Sequence, residues 1–160
     1  MKIFTLGDMV KDTVSATEGM LTHLIIDMDK SERYIFQPKG LNPKTMQPVE
    51  RISIDKARVF GGTESELEIP IHLLGTEAED IATEFKGTII GIIVHINGCI
   101  HVDIKPKGIL KETGDTIASH EFDIRRIKIN GKPYMSKFEL KKSIKNNPSP
   151  ESKPQPKYKS

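Results

Sequence analysis

Residues 19–40 read GMLTHLIIDMDKSERYIFQPKG, and residues 87–108 read GTIIGIIVHINGCIHVDIKPKG. Both stretches open on glycine, continue through a β-branched run and close on Pro-Lys-Gly. An offset of 68 residues aligns them, and the alignment extends without a gap over residues 3–59 and 71–127, with 12 identities in 57 positions. A period of this size indicates one structural unit that has been copied.

The identities fall at positions where the backbone must turn. Glycine and proline recur at Gly7 and Gly75, at Gly19 and Gly87, and in both Pro-Lys-Gly triplets. Each copy is therefore predicted to have four or five short strands separated by turns, which is typical of a small barrel or sandwich. Asn97-Gly98 predicts a tight hairpin. The predicted fold class is all-β, with two small β modules in tandem.

The predicted organisation follows from these boundaries. Residues 1–60 form the first module, 61–68 a linker and 69–135 the second module. Residues 136–145 have a Ser N-cap and apolar residues at near-helical spacing, which predicts a short helix. Residues 146–160 contain four prolines and no aliphatic residue, so a disordered basic tail is expected there.

Charge is divided unevenly along the chain. The formal net charge is +2, and residues 137–160 hold seven Lys and two Glu, a net of +5. Residues 1–136 therefore carry +2 minus 5, or −3. Duplex DNA is bound by neutralising its phosphates with Lys and Arg, so the acidic body is a poor candidate for wrapping it.

The expected compartment is the cytoplasm. No apolar stretch approaches the length of a membrane span, and the N-terminal residues do not resemble a signal peptide. Cys99 is the only cysteine, which fits a reducing environment. No membrane association is predicted.

The residues Gly7-Asp8-Met9-Val10-Lys11-Asp12 resemble the first strand and loop of SH3-like and KOW-type barrels. The second copy resembles a group of small single-module bacteriophage proteins with the arrangement GF-x-G, NGC, QPK and FD, through motifs at 85–87, 97–99, 104–108 and 122–123. The first copy keeps Gln37-Pro38-Lys39-Gly40 but has Asp29-Lys30-Ser31 in place of Asn-Gly-Cys. This resemblance implies an SH3-like fold and a phage-encoded accessory or virion-associated protein, and it implies no catalytic residue.

Catalytic and metal-binding patterns are weak. A zinc site from His95, Cys99, His101 and His120 is conceivable, but Cys99 and His101 share one strand face and no second cysteine pair exists. No nucleophile elbow, P-loop or dinucleotide fingerprint appears. Asp12 and Asp80 recur in both copies, and their predicted role is to accept backbone hydrogen bonds in the loop after the first strand. We therefore predict no enzyme activity, no cofactor and no metal site.

Candidate binding residues lie on the return strand of each hairpin and near the C-terminus. The candidates for a protein partner are Arg33, Tyr34, Lys39, His101 and Lys107. A basic stripe that could contact nucleic acid comprises Arg125, Arg126, Lys128, Lys132, Lys141 and Lys142. Aromatic residues make up only 6% of the chain, which disfavours a base-stacking platform.

The leading hypothesis is a non-catalytic protein that binds a protein partner, either a virion component or a host factor, because small barrels use loop-edged grooves and strand edges for this purpose. The first alternative is an accessory protein that associates with RNA or DNA through the basic tail. The second is the sequestration of a small signalling nucleotide at the interface between the modules or between subunits.

Overall fold

The computed structural model describes residues 1–135, and these residues are all-β, as predicted. The strands are β1 (Lys2–Phe4), β2 (Met9–Asp12), β3 (Glu18–Asp27), β4 (Glu32–Pro38), β5 (Ile52–Asp55), β6 (Val59–Phe60), β7 (Glu64–Glu66), β8 (Glu77–Asp80), β9 (Lys86–His95), β10 (Ile100–Lys105), β11 (His120–Asp123), β12 (Ile127–Ile129) and β13 (Lys132–Pro133). The helical elements of this part of the chain are 3-10 turns at Lys56–Arg58, Ile71–Leu73 and Ile124–Arg126. The predicted helix at 136–145 and the predicted tail at 146–160 lie outside the described residues.

The elements of the two halves recur at the offset seen in the sequence. β3 and β9 begin and end 68 residues apart, and so do β2 and β8, β5 and β11, and the 3-10 turns that follow β5 and β11. In the first half the neighbouring strands run in the order β6-β2-β3-β4-β5, and in the second half β12-β8-β9-β10-β11. Every one of these pairings is antiparallel. The predicted hairpin at Asn97-Gly98 is confirmed as the turn between β9 and β10.

β3 and β9 each change partner midway along their ten residues. β3 pairs with β2 up to Met20 and with β9 from His23, and its register against β4 shifts between Leu21 and His23. β9 has the same irregularity at Ile90, between the segments that pair with β8 and β3. A bulge bends a strand and increases its twist. The bulge therefore explains how the first part of each strand pairs with β2 or β8 of its own half, while the second part pairs with the other half.

The two halves join directly through the antiparallel pairing of β3 with β9. The register places His23 opposite His95, Ile25 opposite Ile93 and Asp27 opposite Gly91. The sheet consequently continues across both halves and contains 11 strands.

Reciprocal contacts accompany this pairing. Met28, in the turn after β3, has its Cε 3.8 Å from the position that a Cβ on Gly75 would take. Ile96, in the turn after β9, has its Cδ1 3.4 Å from the equivalent position on Gly7. Each half thus places a hairpin tip against the Leu-Gly turn of the other, as in the isologous interface of a symmetric dimer.

The core lies on the inner face of the shared sheet. Leu24 and Ile26 of β3 and Ile92 and Val94 of β9 are fully or almost fully buried, and the other half of each strand alternates inward in the same way. The other large, fully buried side chains are Leu21, Tyr34, Phe36, Ile54, Ile89, Val102, Ile104 and Ile127. Burying each such side chain stabilises the fold by roughly 1.5–3 kcal/mol relative to leaving it exposed.

The segment predicted as a linker, residues 61–68, contains a strand. β7 pairs with β1, and the N-terminal amino group of Met1 lies 2.7 Å from Glu66 Oε1. The connection between the halves is therefore tied to the start of the chain. Within residues 1–135, no helix has the length and apolar character needed to cross a membrane.

Candidate functional site

The outer face of the shared sheet spans both halves. Six neighbouring strands, in the order β11-β10-β9-β3-β4-β5, form this face. Its central row of directly opposed residues reads Asp123, His101, Ile93, Ile25, Arg33, Asp55. The row is symmetric, because each residue in one half is 68 positions from its counterpart in the other half. We call this surface the six-stranded face.

A depression of about 340 Å³ lies on the six-stranded face where the halves meet. Its apolar floor and its polar rim come from β3, β4, β9 and β11 and from the residue before β5. The lining residues are Ile25, Ile35, Ile93, His23, His95, Arg51 and Glu121. An apolar surface with a few convergent polar groups is the usual composition of a ligand site.

Three histidines and one glutamate form a cluster at one side of this depression. The ring centroids of His23 and His95 are 4.6 Å apart, and those of His95 and His101 are 4.3 Å apart. Glu121 Oε1 lies 2.7 Å from His101 Nδ1 and 3.2 Å from His95 Nε2, so one carboxylate oxygen serves both imidazoles. We call His23, His95, His101 and Glu121 the histidine cluster.

Partial burial lowers the pKa of two of these imidazole rings, His23 and His95. Loss of solvent is the main cause that lowers the pKa of His23, and the nearby His95 lowers it further. Burial also lowers the pKa of His95, with His101 as the second cause, although Glu121 acts in the opposite direction. Both imidazoles are therefore neutral near pH 7 and keep a nitrogen lone pair.

Neighbouring groups orient the cluster. His23 Nδ1 is 2.9 Å from Thr22 Oγ1, and His101 Nε2 is 3.9 Å from Asp123 Oδ2. Asp123 is held by Arg125, whose Nε is 2.8 Å from Asp123 Oδ1. Burial opposes ionisation of Asp123, but the hydrogen bonds from Arg125 outweigh it and lower the pKa of this carboxyl group.

The four residues considered for zinc are only partly brought together. His95 and His101 are neighbours in the histidine cluster. Cys99 Sγ is instead 3.9 Å from Arg125 NH2. His120 lies apart, against Phe122 at a ring separation of 4.9 Å. Glu121 was missed in the sequence, because only the register of β11 against β10 brings it to the histidines.

The equivalent positions of the first half hold an internal ion pair. Asp27, Arg33 and Ser53 correspond to His95, His101 and Glu121. Arg33 donates from Nε to Asp27 Oδ2 at 2.7 Å and from NH2 to Asp27 Oδ1 at 2.9 Å. Its NH1 donates to Ser53 Oγ at 3.2 Å. In the first half these three backbone positions therefore carry an arginine cation and the side chains that accept its hydrogen bonds. In the second half the same positions carry two imidazoles and a carboxylate, whose nitrogen and oxygen atoms can act as metal ligands.

The residues predicted to contact a protein partner have different environments. Arg33 and His101 lie on the six-stranded face, whereas Lys39 and Lys107 are exposed at the turns beyond it. Lys107 Nζ lies 2.9 Å from Glu77 Oε1. The prediction that Tyr34 contacts a partner is corrected, because its side chain is fully buried. Its hydroxyl group accepts a hydrogen bond from Phe4 N at 3.0 Å. Burial raises the pKa of Tyr34 to about 12, and this residue belongs to the core.

Three of the four residues of the predicted basic stripe that lie within residues 1–135 form ion pairs with carboxylates. Arg125 pairs with Asp123, Arg126 with the buried Asp80, and Lys128 with Glu79 at 2.9 Å. Lys132 is exposed on β13. Lys141 and Lys142 lie outside the described residues.

Asp12 and Asp80 have the loop-stabilising role that the sequence indicated. Asp80 Oδ2 accepts hydrogen bonds from Thr83 N at 2.8 Å and from Thr83 Oγ1 at 2.6 Å. Asp12 accepts equivalent bonds from Ser15 N at 3.2 Å and from Ser15 Oγ at 2.6 Å. Each carboxylate also receives two bonds from an arginine 46 residues later, Arg58 in the first half and Arg126 in the second.

Comparison with known proteins yields no match, whether to a protein-family model, to a curated protein or to a solved structure.

Proposed function

We propose that the chain is a non-catalytic binding protein of two fused SH3-like modules that engages a protein partner through the six-stranded face. The observation that carries this proposal is the continuity of that face across the β3–β9 junction. A face formed by two halves together is larger than either small module could offer, and it has an apolar centre with a charged margin, which is the usual anatomy of a protein interface.

The charges of the face favour a partner with a basic segment. Its outward carboxylates include Asp55, Asp103 and Glu121 in addition to the ion-paired Asp27 and Asp123. The described body also carries a net charge of −3. Complementary charge increases the rate of encounter and selects against acidic partners.

Strand addition is the second element of the proposal. Within residues 1–135, β5 and β11 each pair with a single strand, so in this part of the chain both sides of the six-stranded face end in an open strand edge. Both edges are only four residues long. An extended segment of the partner that adds to one edge would gain main-chain hydrogen bonds and reach the depression with its side chains.

Site-specific photocrosslinking in the producing cell tests this proposal. A photoreactive amino acid at Ile35, in the depression, should crosslink one discrete protein, whereas the same probe at Val14, which is 72% exposed and outside the face, should not. The purified partner should then bind the chain at least ~10-fold more weakly after Asp55→Lys, because this change places a positive charge on the face that meets the partner's basic segment, and like charges across an interface repel. Equal crosslinking from both positions would contradict the proposal.

The position of the depression supports a second candidate, the sequestration of a small nucleotide at the module interface. Imidazole rings and Arg51 surround an aliphatic floor at that interface, and this combination can hold a base and a phosphate together. Thermal-shift measurements with mono- and dinucleotides test it. A ligand that raises the Tm of the wild type, but not that of Arg51→Ala, supports the candidate, and no shift with any nucleotide excludes it.

A further inference from the structure

We propose that His95, His101 and Glu121 bind a zinc-like divalent cation. One donor atom of each residue lies within 4.8 Å of the other two. Two of the donors come from adjacent strands of one hairpin and the third from the next strand, so the backbone hydrogen bonds of the sheet fix their spacing. This inference depends on the histidine cluster alone and holds whether or not a protein partner is found.

The distances suit a cation without any rebuilding of the backbone. Bonds of about 2.0–2.1 Å to nitrogen and about 2.0–2.2 Å to oxygen, in a tetrahedral arrangement, separate two ligand atoms by roughly 3.3–3.4 Å. His95 Nε2 is already 3.2 Å from Glu121 Oε1, and His101 Nδ1 is 2.7 Å from the same oxygen. The two histidine nitrogens lie within 4.8 Å of each other, so rotation of the imidazole side chains has to bring them closer for a metal to replace the shared protons.

The other half of the molecule shows that these three backbone positions accommodate a positive charge. There Arg33 supplies the cation, and it donates hydrogen bonds to Asp27 and Ser53. In the second half the central position is His101, and the flanking positions supply an imidazole and a carboxylate. The arrangement is the same, but the cation must come from outside the chain.

The donor set defines the class of metal. Imidazole nitrogens with one carboxylate suit Zn²⁺ and other late divalent transition metals, whereas Ca²⁺ and Mg²⁺ require mainly oxygen ligands. The depression borders His95 and Glu121, and the ring of His23 packs against His95 from the same side. Three protein ligands leave a fourth position for water, for His23 or for a group of a bound ligand.

The test is a titration of the untagged, chelator-treated full chain with Zn²⁺ by calorimetry, and with Co²⁺ by visible absorption. We expect one metal per chain and the absorption of four-coordinate cobalt. The variant His95→Asp, His101→Arg, Glu121→Ser introduces the trio found in the first half, so it should retain the wild-type circular dichroism and bind at least ~100-fold more weakly. The control His120→Asn, outside the histidine cluster, should bind like the wild type.

The reciprocal variant tests whether these positions are sufficient. Asp27→His, Arg33→His, Ser53→Glu moves the second-half trio into the first half, and it should raise the stoichiometry from one metal to two per chain. The proposal is overturned if the wild type binds no metal. It is also overturned if the wild type and the variant carrying the first-half trio bind Zn²⁺ equally well.

Discussion

Ile25 lies directly opposite Ile93 at the centre of the β3–β9 pairing, and the two residues are 68 positions apart in the chain. Ile96 N donates to Thr22 O at 3.0 Å, which makes Thr22 and Ile96 a hydrogen-bonded pair of the same ladder. Because such pairs alternate, Ile25 and Ile93 form a non-hydrogen-bonded pair, in which the side chains approach most closely. Equivalent residues thus meet at the junction, as they do on the symmetry axis of a homodimer.

The pairing of β3 with β9 is symmetric under exchange of the two halves. If each residue is replaced by its counterpart 68 positions away in the other half, the pair of His23 and His95 becomes the pair of Gly91 and Asp27. That pair also exists in the structure. The junction therefore has the symmetry of a dimer of two identical modules, although both halves belong to one chain. The histidine cluster lies at one end of the junction and the Arg33 ion pair at the other.

The first prediction concerns two glycines where strands approach closely. A Cβ on Gly19 would lie 2.4 Å from Gln37 O, and one on Gly87 would lie 2.2 Å from Lys105 O. Gly19→Ala and Gly87→Ala should each reduce the free energy of unfolding by about 1–3 kcal/mol or more, because backbone atoms must move. Urea denaturation measures this effect.

Gly91→Ala is the matched control for both substitutions. A Cβ there would meet its nearest neighbour, Asp103 Cβ, at an ordinary 3.7 Å. This variant should change the free energy of unfolding by less than about 1 kcal/mol. A loss as large as that of Gly87→Ala would show that the close approach is not the cause.

The second prediction concerns acid stability. Hydrogen bonds from Arg58, and then from Ser15, lower the pKa of Asp12 below its ordinary 3.8. For Asp80, burial raises the pKa, but the bonds from Arg126 and Thr83 outweigh it and lower the value overall. The stabilisation is therefore present above about pH 4 and is lost as the pH falls through the folded-state values, because the unfolded chain binds the protons first.

Asp12→Asn and Asp80→Asn should each be less stable than the wild type at pH 7. Each should also remove about one proton from the uptake on unfolding between pH 5 and pH 2. Denaturant titrations at several pH values give that number directly. Proton uptake that stays at the wild-type value in both variants would mean that these carboxyl groups titrate normally.

The third prediction concerns the imidazoles of the metal-free protein. Because burial lowers the pKa values of His23 and His95, the unfolded chain takes up protons before the folded one. Stability should be constant above about pH 7 and should decrease as the pH falls below the ordinary histidine value of about 6.5.

His95→Asn removes a neighbouring imidazole, so it should raise the pKa of His23. Titration of the ring proton resonances by NMR follows His23 in both proteins. A pKa of His23 that falls in the variant would contradict the electrostatic relation between the two rings.

The sequence was sufficient to predict the main hairpin strands and turns of each half, since glycine, proline and β-branched runs determine them locally, but it did not predict β7 in the 61–68 segment. It did not predict the β3–β9 junction, because the unbroken apolar runs at 24–26 and 92–94 indicate only that both faces of these strands are apolar and do not identify the neighbouring strand. The bulges at Thr22 and Ile90, which free half of each strand for this pairing, have no comparable signal in the sequence.

The histidine cluster was only partly visible for the same reason. Alternation along one hairpin places His95 and His101 on the same sheet face, but the contribution of Glu121 depends on a register set 20 residues away. Tyr34 was misjudged because Tyr34 and Phe36 lie on the same face of β4, and that face is the buried one.

Disulfide formation between two introduced cysteines tests the joined sheet most directly. In a Cys99→Ser background, Ile25→Cys with Ile93→Cys places two thiols on a non-hydrogen-bonded pair, at a separation that a disulfide can span. The account predicts a rapid intramolecular disulfide in this variant, and little in Ile25→Cys with Gly91→Cys, where the second cysteine is two residues out of register. Absence of the 25–93 disulfide under oxidation, or equal crosslinking in both variants, would contradict the pairing of β3 with β9.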